Sequence, residues 1–283
     1  MTFARAALVG CGMVGGSLMA ALRAAGTVER VVGFDRDAAH AEAARARGIV
    51  DEVAGDAAAA ARGASLVVLA VPVRASRELF DAIAGAVGDA QLVTDVGSTK
   101  SGVVAAAEAT LPDASRFCGA HPIAGTEKSG PAAADAALFA GKLVLLTPGA
   151  RTSDETRAAC AAMWTAAGAR VQSMTAAAHD RAMAWVSHLP HAAAFALAAA
   201  VGGVAGEVAG LSGGGFADTT RIAASDAAMW RDIFVDNRAA LLEAIDALGG
   251  ELAELRRAVD GGDAAAIEAI VARARDGRAR VMR

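Results

Sequence analysis

The sequence predicts an α/β half built on a parallel sheet, followed by an all-helical half. Three observations carry that expectation. Short apolar runs alternate with helix-patterned segments up to about residue 174. The first run ends directly in a glycine-rich turn that opens a helix. Beyond residue 175 no strand candidate recurs, and helical periods run on, broken only by glycines at 202–215 and 249–250 and by "DGGD" at 260–263.

Taken in order, "ARAALVG" at 4–10 is a buried strand stopped by glycine, and 16–25 is a small-residue helix. "VVGF" at 31–34 is a second strand. Helix 38–47 is closed by Gly48 just past its last turn. "SLVVLAVP" at 65–72 is a third strand ended by Pro72, and helix 74–87 follows. "QLVTDVGS" at 91–98, helix 100–109 and "RFCGA" at 116–120 continue the alternation. "KLVLLTP" at 142–148 and "ARVQSM" at 169–174 are two further strands around helix 153–167. The predicted division is therefore 1–174 and 175–283.

Composition bounds the function. The chain has 283 residues, is 55% hydrophobic and contains only 6 Pro, enough apolar material for a real core and too much for disorder. A net charge of −4 with interspersed signs argues against a nucleic-acid binder, which needs a basic face. The longest Ala-rich stretch, 192–201, is too short to cross a bilayer, and the start is strand-like rather than a secretory leader, so no membrane partner is expected. Three scattered cysteines, Cys11, Cys118 and Cys160, point to reduced thiols and a cytoplasmic protein.

"GCGMVGGS" fits G-x-G-x-x-G at Gly10, Gly12 and Gly15, between a strand and a helix. Gly10 allows the tight turn, Gly12 lets the backbone approach a pyrophosphate, and Gly15 lets helix and strand pack closely. The helix start at Met13 and Val14 favours negative charge. Asp35 stands 20 residues beyond Gly15 at the end of the second strand, where a carboxylate accepts from both ribose hydroxyls of NAD and repels a 2′-phosphate. Arg36 beside it is a cation that tolerates such a phosphate. Val71 and Pro72 close the third strand on the same edge. NAD is the expected cofactor.

Ligands of open parallel sheets sit beyond the carboxyl ends of the strands. The fourth strand ends in "DVGSTK" and the fifth runs into "GAHPIAGTEKSG", which puts Ser98 and His121 near the expected nicotinamide. Imidazole is the natural base near neutral pH, and a neighbouring hydroxyl can orient a substrate hydroxyl. A helix-capping Ser98 and a structural His121 are the bland readings. In the helical half, "SHLPH" places His188 and His191 three apart on one helix face, with Pro190 starting or kinking the helix between them. No third ligand at a familiar spacing supports a metal, and none is expected. His188 is equally well a packing residue. Arg221 follows the glycine run at 213–215 and is suited to a carboxylate, with an ion pair to Asp218 or Asp226 as its bland reading.

Together "GCGMVGGS", "DVGSTK", "GAHPIAGTEKSG", "SHLPH" and "GGFADTTRIAASDAAMWRDIFVDN" resemble the prephenate dehydrogenase family of tyrosine biosynthesis, in family order and over most of the chain. The resemblance implies NAD-dependent oxidative decarboxylation of prephenate to 4-hydroxyphenylpyruvate, or of L-arogenate to L-tyrosine. It implies that His121 accepts a hydrogen bond from the ring hydroxyl and that Ser98 bridges hydroxyl, histidine and nicotinamide. It further implies Arg221 on the ring carboxylate, His191 at the substrate side chain, with His188 close by, and Thr126 and Glu127 at the pocket mouth. Trp230 is implied to shape the pocket or the interface of a homodimer formed by the helical half. A reductase of hydroxyacid or imine type is the alternative of similar architecture. Such enzymes often use a lysine on the helical half, and this chain has none after Lys142.

Overall fold

The computed structural model describes residues 2–124 and 128–282. The strands are β1 (Phe3–Val9), β2 (Val28–Phe34), β3 (Glu52–Val53), β4 (Leu66–Leu69), β5 (Leu92–Asp95), β6 (Phe117–Pro122), β7 (Leu143–Pro148) and β8 (Arg170–Ser173). They form one sheet in the order β3-β2-β1-β4-β5-β6-β7-β8. The connections reverse direction between β1 and β4, so a crevice opens beyond Val9 and Leu69, which pair with each other. Every neighbouring pair is parallel except β6 with β7. That exception departs from the purely parallel expectation. Among the described residues, the β6–β7 connection carries a one-turn 3-10 helix, Pro131–Ala133, and no crossover helix to bring the chain back to the starting edge.

Where helices cover both sheet faces the strands are apolar, as at 6–9 of β1 and 66–69 of β4. Ala6, Leu8, Leu66 and Val68 pack on one side with Phe139 and Trp164. Ala7, Val9, Val67 and Leu69 pack on the other with Phe80 and Phe117. The covering helices are α1 (Met13–Ala24), α2 (Ala38–Ala46), α3 (Ala57–Ala61), α4 (Val73–Ile83), α5 (Ser101–Thr110) and α6 (Asp154–Ala166). Gly48 has φ +69°, the left-handed stop expected after α2. The sequence pattern does not reveal β3 and α3, which are too short to show a period. Helix α1 starts at Met13, three residues before the predicted start, because glycines 15 and 16 are tolerated inside it.

The helical half comprises α7 (Ala176–Met183), α8 (Leu189–Gly202), α9 (Ala205–Val208), α10 (Gly214–Thr220), α11 (Ala227–Asp236), α12 (Arg238–Asp260) and α13 (Ala264–Val281). Helices α7 and α8 are fused through a π turn, Ala184–His188. The helix therefore does not begin at Pro190. The wider turn immediately before the proline absorbs its missing N–H and its ring. The fusion yields a 27-residue rod, 176–202, long and apolar enough to cross a membrane by length and composition alone, which the reading of 192–201 in isolation did not anticipate. Much of its apolar surface is uncovered, as are Leu211, Leu252, Val259 and Val271 elsewhere in this half.

Polar contacts join the halves. The Asp180 carboxylate on α7 accepts from the backbone N–H groups of Lys100 (2.8 Å) and Ser101 (2.8 Å), capping α5 from across the boundary. Asp236, at the end of α11, pairs with Arg77 of α4 and accepts from Thr99. Within the helical half, Asn237 donates to the Asp180 carbonyl at 2.7 Å and so steadies the α5 cap.

Candidate active site

The glycine turn has the shape a dinucleotide needs. Gly10 has φ +95°, and a Cβ there would lie 2.2 Å from the Ala70 carbonyl oxygen at the end of β4, next to Val71. A Cβ at Gly15 would lie 2.6 Å from Ala70 and 2.8 Å from Leu8, so helix and sheet close only around glycine. Gly12 faces open space. It begins α1 in extended conformation without a side-chain cap, which turns the N-terminal turn of Met13 and Val14 toward an anion. The Asp35 carboxylate is held beside this turn. One oxygen accepts from the Cys11 N–H at 2.8 Å and the other from the Asp37 N–H at 2.9 Å. Burial and the Asp35 charge push the Cys11 thiol up to about 12, so it stays protonated. Arg36 is exposed next to Asp35, and Pro72 starts α4 on the same edge. These residues fit a bound NAD.

Past the ends of β5 and β6 the chain assembles its polar centre. Lys100 is fully buried, with its Nζ paired to Asp95 and donating to the Ala120 carbonyl at 3.0 Å. Asp95 also accepts from Gly97 N–H at 2.8 Å and from Ala120 N–H at 3.3 Å. This pair locks the "DVGSTK" turn against β6, one residue before His121. Ser98 sits half-buried in that turn. It does not cap α5, a role Asp180 fills, and its hydroxyl makes no hydrogen bond among the described residues.

His121 lies in β6. Its Nδ1 is 2.8 Å from His179 Nε2, and His179 Nδ1 is in turn 2.8 Å from the Asp180 carboxylate. The His121 Nε2 has no hydrogen bond among the described residues. Burial, together with His179, the Lys100 ammonium and His188, holds the His121 pKa well below the usual histidine value, so the ring is neutral at physiological pH. Burial opposes the charge of Asp180, but hydrogen bonds from His179 and from Ser101 and Lys100 outweigh it and keep that carboxylate ionised.

His191 stacks on Trp230, ring centroids 3.7 Å apart, and directs its Nδ1 to the Ser187 carbonyl at 2.9 Å. Burial and the positive charge of Arg221 lower its pKa. Arg221 is exposed and forms neither of the ion pairs with Asp218 or Asp226 that a surface role suggests. His188 is enclosed, as the packing reading expects. It is only 1% exposed, lies against the edge of Trp230, and its Nδ1 sits 3.1 Å from the Asn237 amide. Burial pushes its pKa down to about 4. Thr126 and Glu127 lie outside the described residues. Among the described residues no cluster of three or more His, Cys, Asp or Glu could hold a metal.

Residues 18–173 match the family model for the prephenate dehydrogenase nucleotide-binding domain, and 175–272 match that for the prephenate dehydrogenase dimerization domain. The chain belongs to the prephenate dehydrogenase family. Cyclohexadienyl dehydrogenase of Zymomonas mobilis is 36% identical over 261 residues, 91% of this chain and 89% of that protein. Prephenate dehydrogenase of Bacillus subtilis is 34% identical over 261 residues, 91% of this chain and 70% of that one. Among solved structures, prephenate dehydrogenase from Aquifex aeolicus in complex with hydroxyphenyl propionate and NAD+ has a TM-score of 0.89 at 33% identity, covering 99% of each chain. The nucleotide-domain match begins at residue 18, past the glycine turn. The family's dimerisation domain coincides with the half whose apolar surface is uncovered.

Sequence reasoning missed His179, Asp180 and the buried Asp95–Lys100 pair. The available signal was the histidine count. Of five histidines, His179 stood next to an aspartate at the start of the helical half.

Proposed function

We propose that this chain catalyses the NAD-dependent oxidative decarboxylation of prephenate to 4-hydroxyphenylpyruvate, or of L-arogenate to L-tyrosine, in tyrosine biosynthesis. The observation that carries the reading is a neutral His121 with an unpartnered Nε2 at the carboxyl edge of a dinucleotide-type sheet. NAD+, when bound, supplies the hydride acceptor for the ring carbon bearing the hydroxyl. Gly10, Gly12, Gly15, Met13 and Val14 cradle its pyrophosphate, Asp35 its ribose, with Arg36, Val71 and Pro72 along the edge.

His121 Nε2 accepts the hydrogen bond of the C4 hydroxyl and polarises it, and the proton ends on the oxygen that becomes the phenol of the product. As the hydride leaves C4, the C1 carboxylate departs as CO₂ and its bonding pair completes the aromatic ring. Ser98 orients the hydroxyl from the other side. Prephenate is a dianion, arogenate carries the same ring carboxylate, and the protein is acidic overall, so a local cation is needed; Arg221, with no ion pair among the described residues, pairs with the ring carboxylate. His191, stacked on Trp230, faces the substrate side chain, with Thr126 and Glu127 at the mouth. His188 supports this group from behind. Aromatisation drives the reaction, so the protein chiefly positions and supplies one weak base.

The helical half, 175–283, is the dimerisation unit, and we place the working form as a homodimer in the cytoplasm. NADH absorbance, followed on mixing the protein with NAD+ and either prephenate or arogenate, tests the activity. NADH formation with at least one substrate is expected, and the ratio of kcat/KM values assigns the preference. No NADH with either would contradict the proposal.

A further inference from the structure

Hydrogen-bond donors and acceptors run in one order from the domain boundary to the reacting atom. Asp180 is an ionised acceptor with three donors aimed at it: Lys100 N–H, Ser101 N–H and the Nδ1 of His179. Facing a carboxylate, His179 carries its proton on Nδ1. The neutral ring then offers a lone pair at Nε2, the nitrogen that lies 2.8 Å from His121 Nδ1. Two lone pairs cannot face each other at that distance, so His121 must hold its proton on Nδ1. A free histidine side chain prefers the opposite tautomer, with the proton on Nε2, where it would donate to the substrate instead of accepting.

We propose that His179 and Asp180 are positioning residues that fix the proton of His121 on Nδ1 and so leave its Nε2 lone pair toward the substrate hydroxyl. The inference rests on the activity proposed above for its consequence but not for its test, because the tautomer is a property of the resting protein. The same Asp180 carboxylate caps α5, the helix that follows the Ser98 turn. One group of the helical half thereby sets both the tautomer of His121 and the position of Ser98, and the two reacting side chains are correctly prepared only when the halves are docked. His179 is fully buried and Asp180 nearly so, which keeps water from substituting for either partner.

The charged and titratable groups facing His121 are His179 and Asp180 on α7, Lys100 and Asp95 at the β5 turn, and His188 on the π turn. A proton added to either ring of the His121–His179 pair removes the acceptor. An imidazolium at His179 would donate from Nε2 and turn the His121 proton outward.

The test uses the full chain labelled with nitrogen-15 in its histidine rings. Two-bond nitrogen–proton spectra at about pH 8 report which nitrogen of each neutral ring is protonated, and loss of one signal set in His121→Asn assigns His121. The expected result is a His121 ring protonated at Nδ1. A ring protonated at Nε2, or an averaged mixture, overturns the proposal. His179→Leu removes the acceptor and is expected to release His121 toward the Nε2–H tautomer and to lower kcat about a hundredfold with NAD+ affinity unchanged. His179→Gln places a carbonyl oxygen where Nε2 stood, and is expected to keep the Nδ1–H tautomer and a larger share of kcat than His179→Leu. A His179→Leu protein that retains the wild-type tautomer, or equal losses of kcat in both variants, overturns it as well. If the wild-type protein turns over neither prephenate nor arogenate, the activity proposal fails while the tautomer spectrum still decides this one.

Discussion

In the α/β half the inner strands are enclosed on both faces, and the largest buried side chains, among them Trp164, Phe3, Phe80 and Phe139, all lie there. In the helical half few apolar residues are fully buried, and several buried groups are polar: His179, Asp180, His188, Asp232 and Asn237. Leu252 and Val271 remain about three-fifths exposed, at 58% and 60%. One half folds around its own core. The other is held to it by directed hydrogen bonds and leaves its apolar stripes uncovered. The groups we propose to react stand where these two kinds of construction meet, so the proposed site depends on docking as well as on folding.

The largest effect that bears on this contrast comes from the meeting point itself. His121→Asn removes the acceptor without touching either core, and we expect kcat to fall by about 10²- to 10⁴-fold with NAD+ binding retained, as measured by steady-state rates and by cofactor titration. Normal turnover in that variant would make His121 structural. Next comes Arg221→Ala, on the exposed surface of the helical half. KM for prephenate should rise by one to two orders of magnitude while KM for NAD+ stays put, the loss of a charge-assisted pair to substrate. Equal rises in both would mean that Arg221 acts through folding.

A third test separates the halves by their need for a partner. Leu252→Glu combined with Val271→Glu should shift the protein to half its mass in size-exclusion chromatography with light scattering, whereas charges on the exposed surface of α6 should not. A dimer that survives both substitutions places the interface elsewhere.

Acid should act first on the polar boundary. The folded pKa of His188, about 4, lies below the ordinary histidine value of about 6.5. The unfolded chain therefore binds the extra proton between those values, and the folded state loses stability as pH falls through that window, by roughly 3 kcal/mol. Denaturant midpoints measured at about pH 7 and about pH 5 should show about 2 kcal/mol of this loss, and His188→Gln should reduce it. The smallest effect is expected from Asp236→Ala, which leaves Thr99 and Arg77 without their partner across the boundary. About 1–2 kcal/mol of stability should be lost, since Arg77 is partly solvated.

The same contrast explains what could be read from the sequence. The α/β half was legible almost strand by strand because burial on both faces writes continuous apolar runs such as "LVVL" at 66–69. Glycines fixed by close approach, Gly10 and Gly15, announced the nucleotide turn. The antiparallel β7 was not legible, since a strand's direction is set by the length and content of the preceding connection and not by its own residues. In the helical half the motif around Arg221 and His191 stood out, but His179 and Asp180 did not. Their significance lies in facing His121, Lys100 and Ser101 across about 60 to 80 residues of chain, a relation that no local pattern records. His188 looked like its neighbour His191 because both lie on one face. Only the packing of Trp230 and Asn237 separates the enclosed ring from the one beside Arg221.

The most direct test of a neutral His121 as the acceptor is the rate of NADH formation from prephenate and saturating NAD+ as pH is lowered from about 9 to about 5, for the wild type and His121→Asn in parallel. The neutral form is the active one and its pKa is depressed, so the wild-type rate should hold level through the neutral range and fall only below the ordinary histidine value. The residual rate of His121→Asn should lack that acid limb. A wild-type rate already half lost at or above about pH 6.5, or an acid limb unchanged in His121→Asn, would contradict the account.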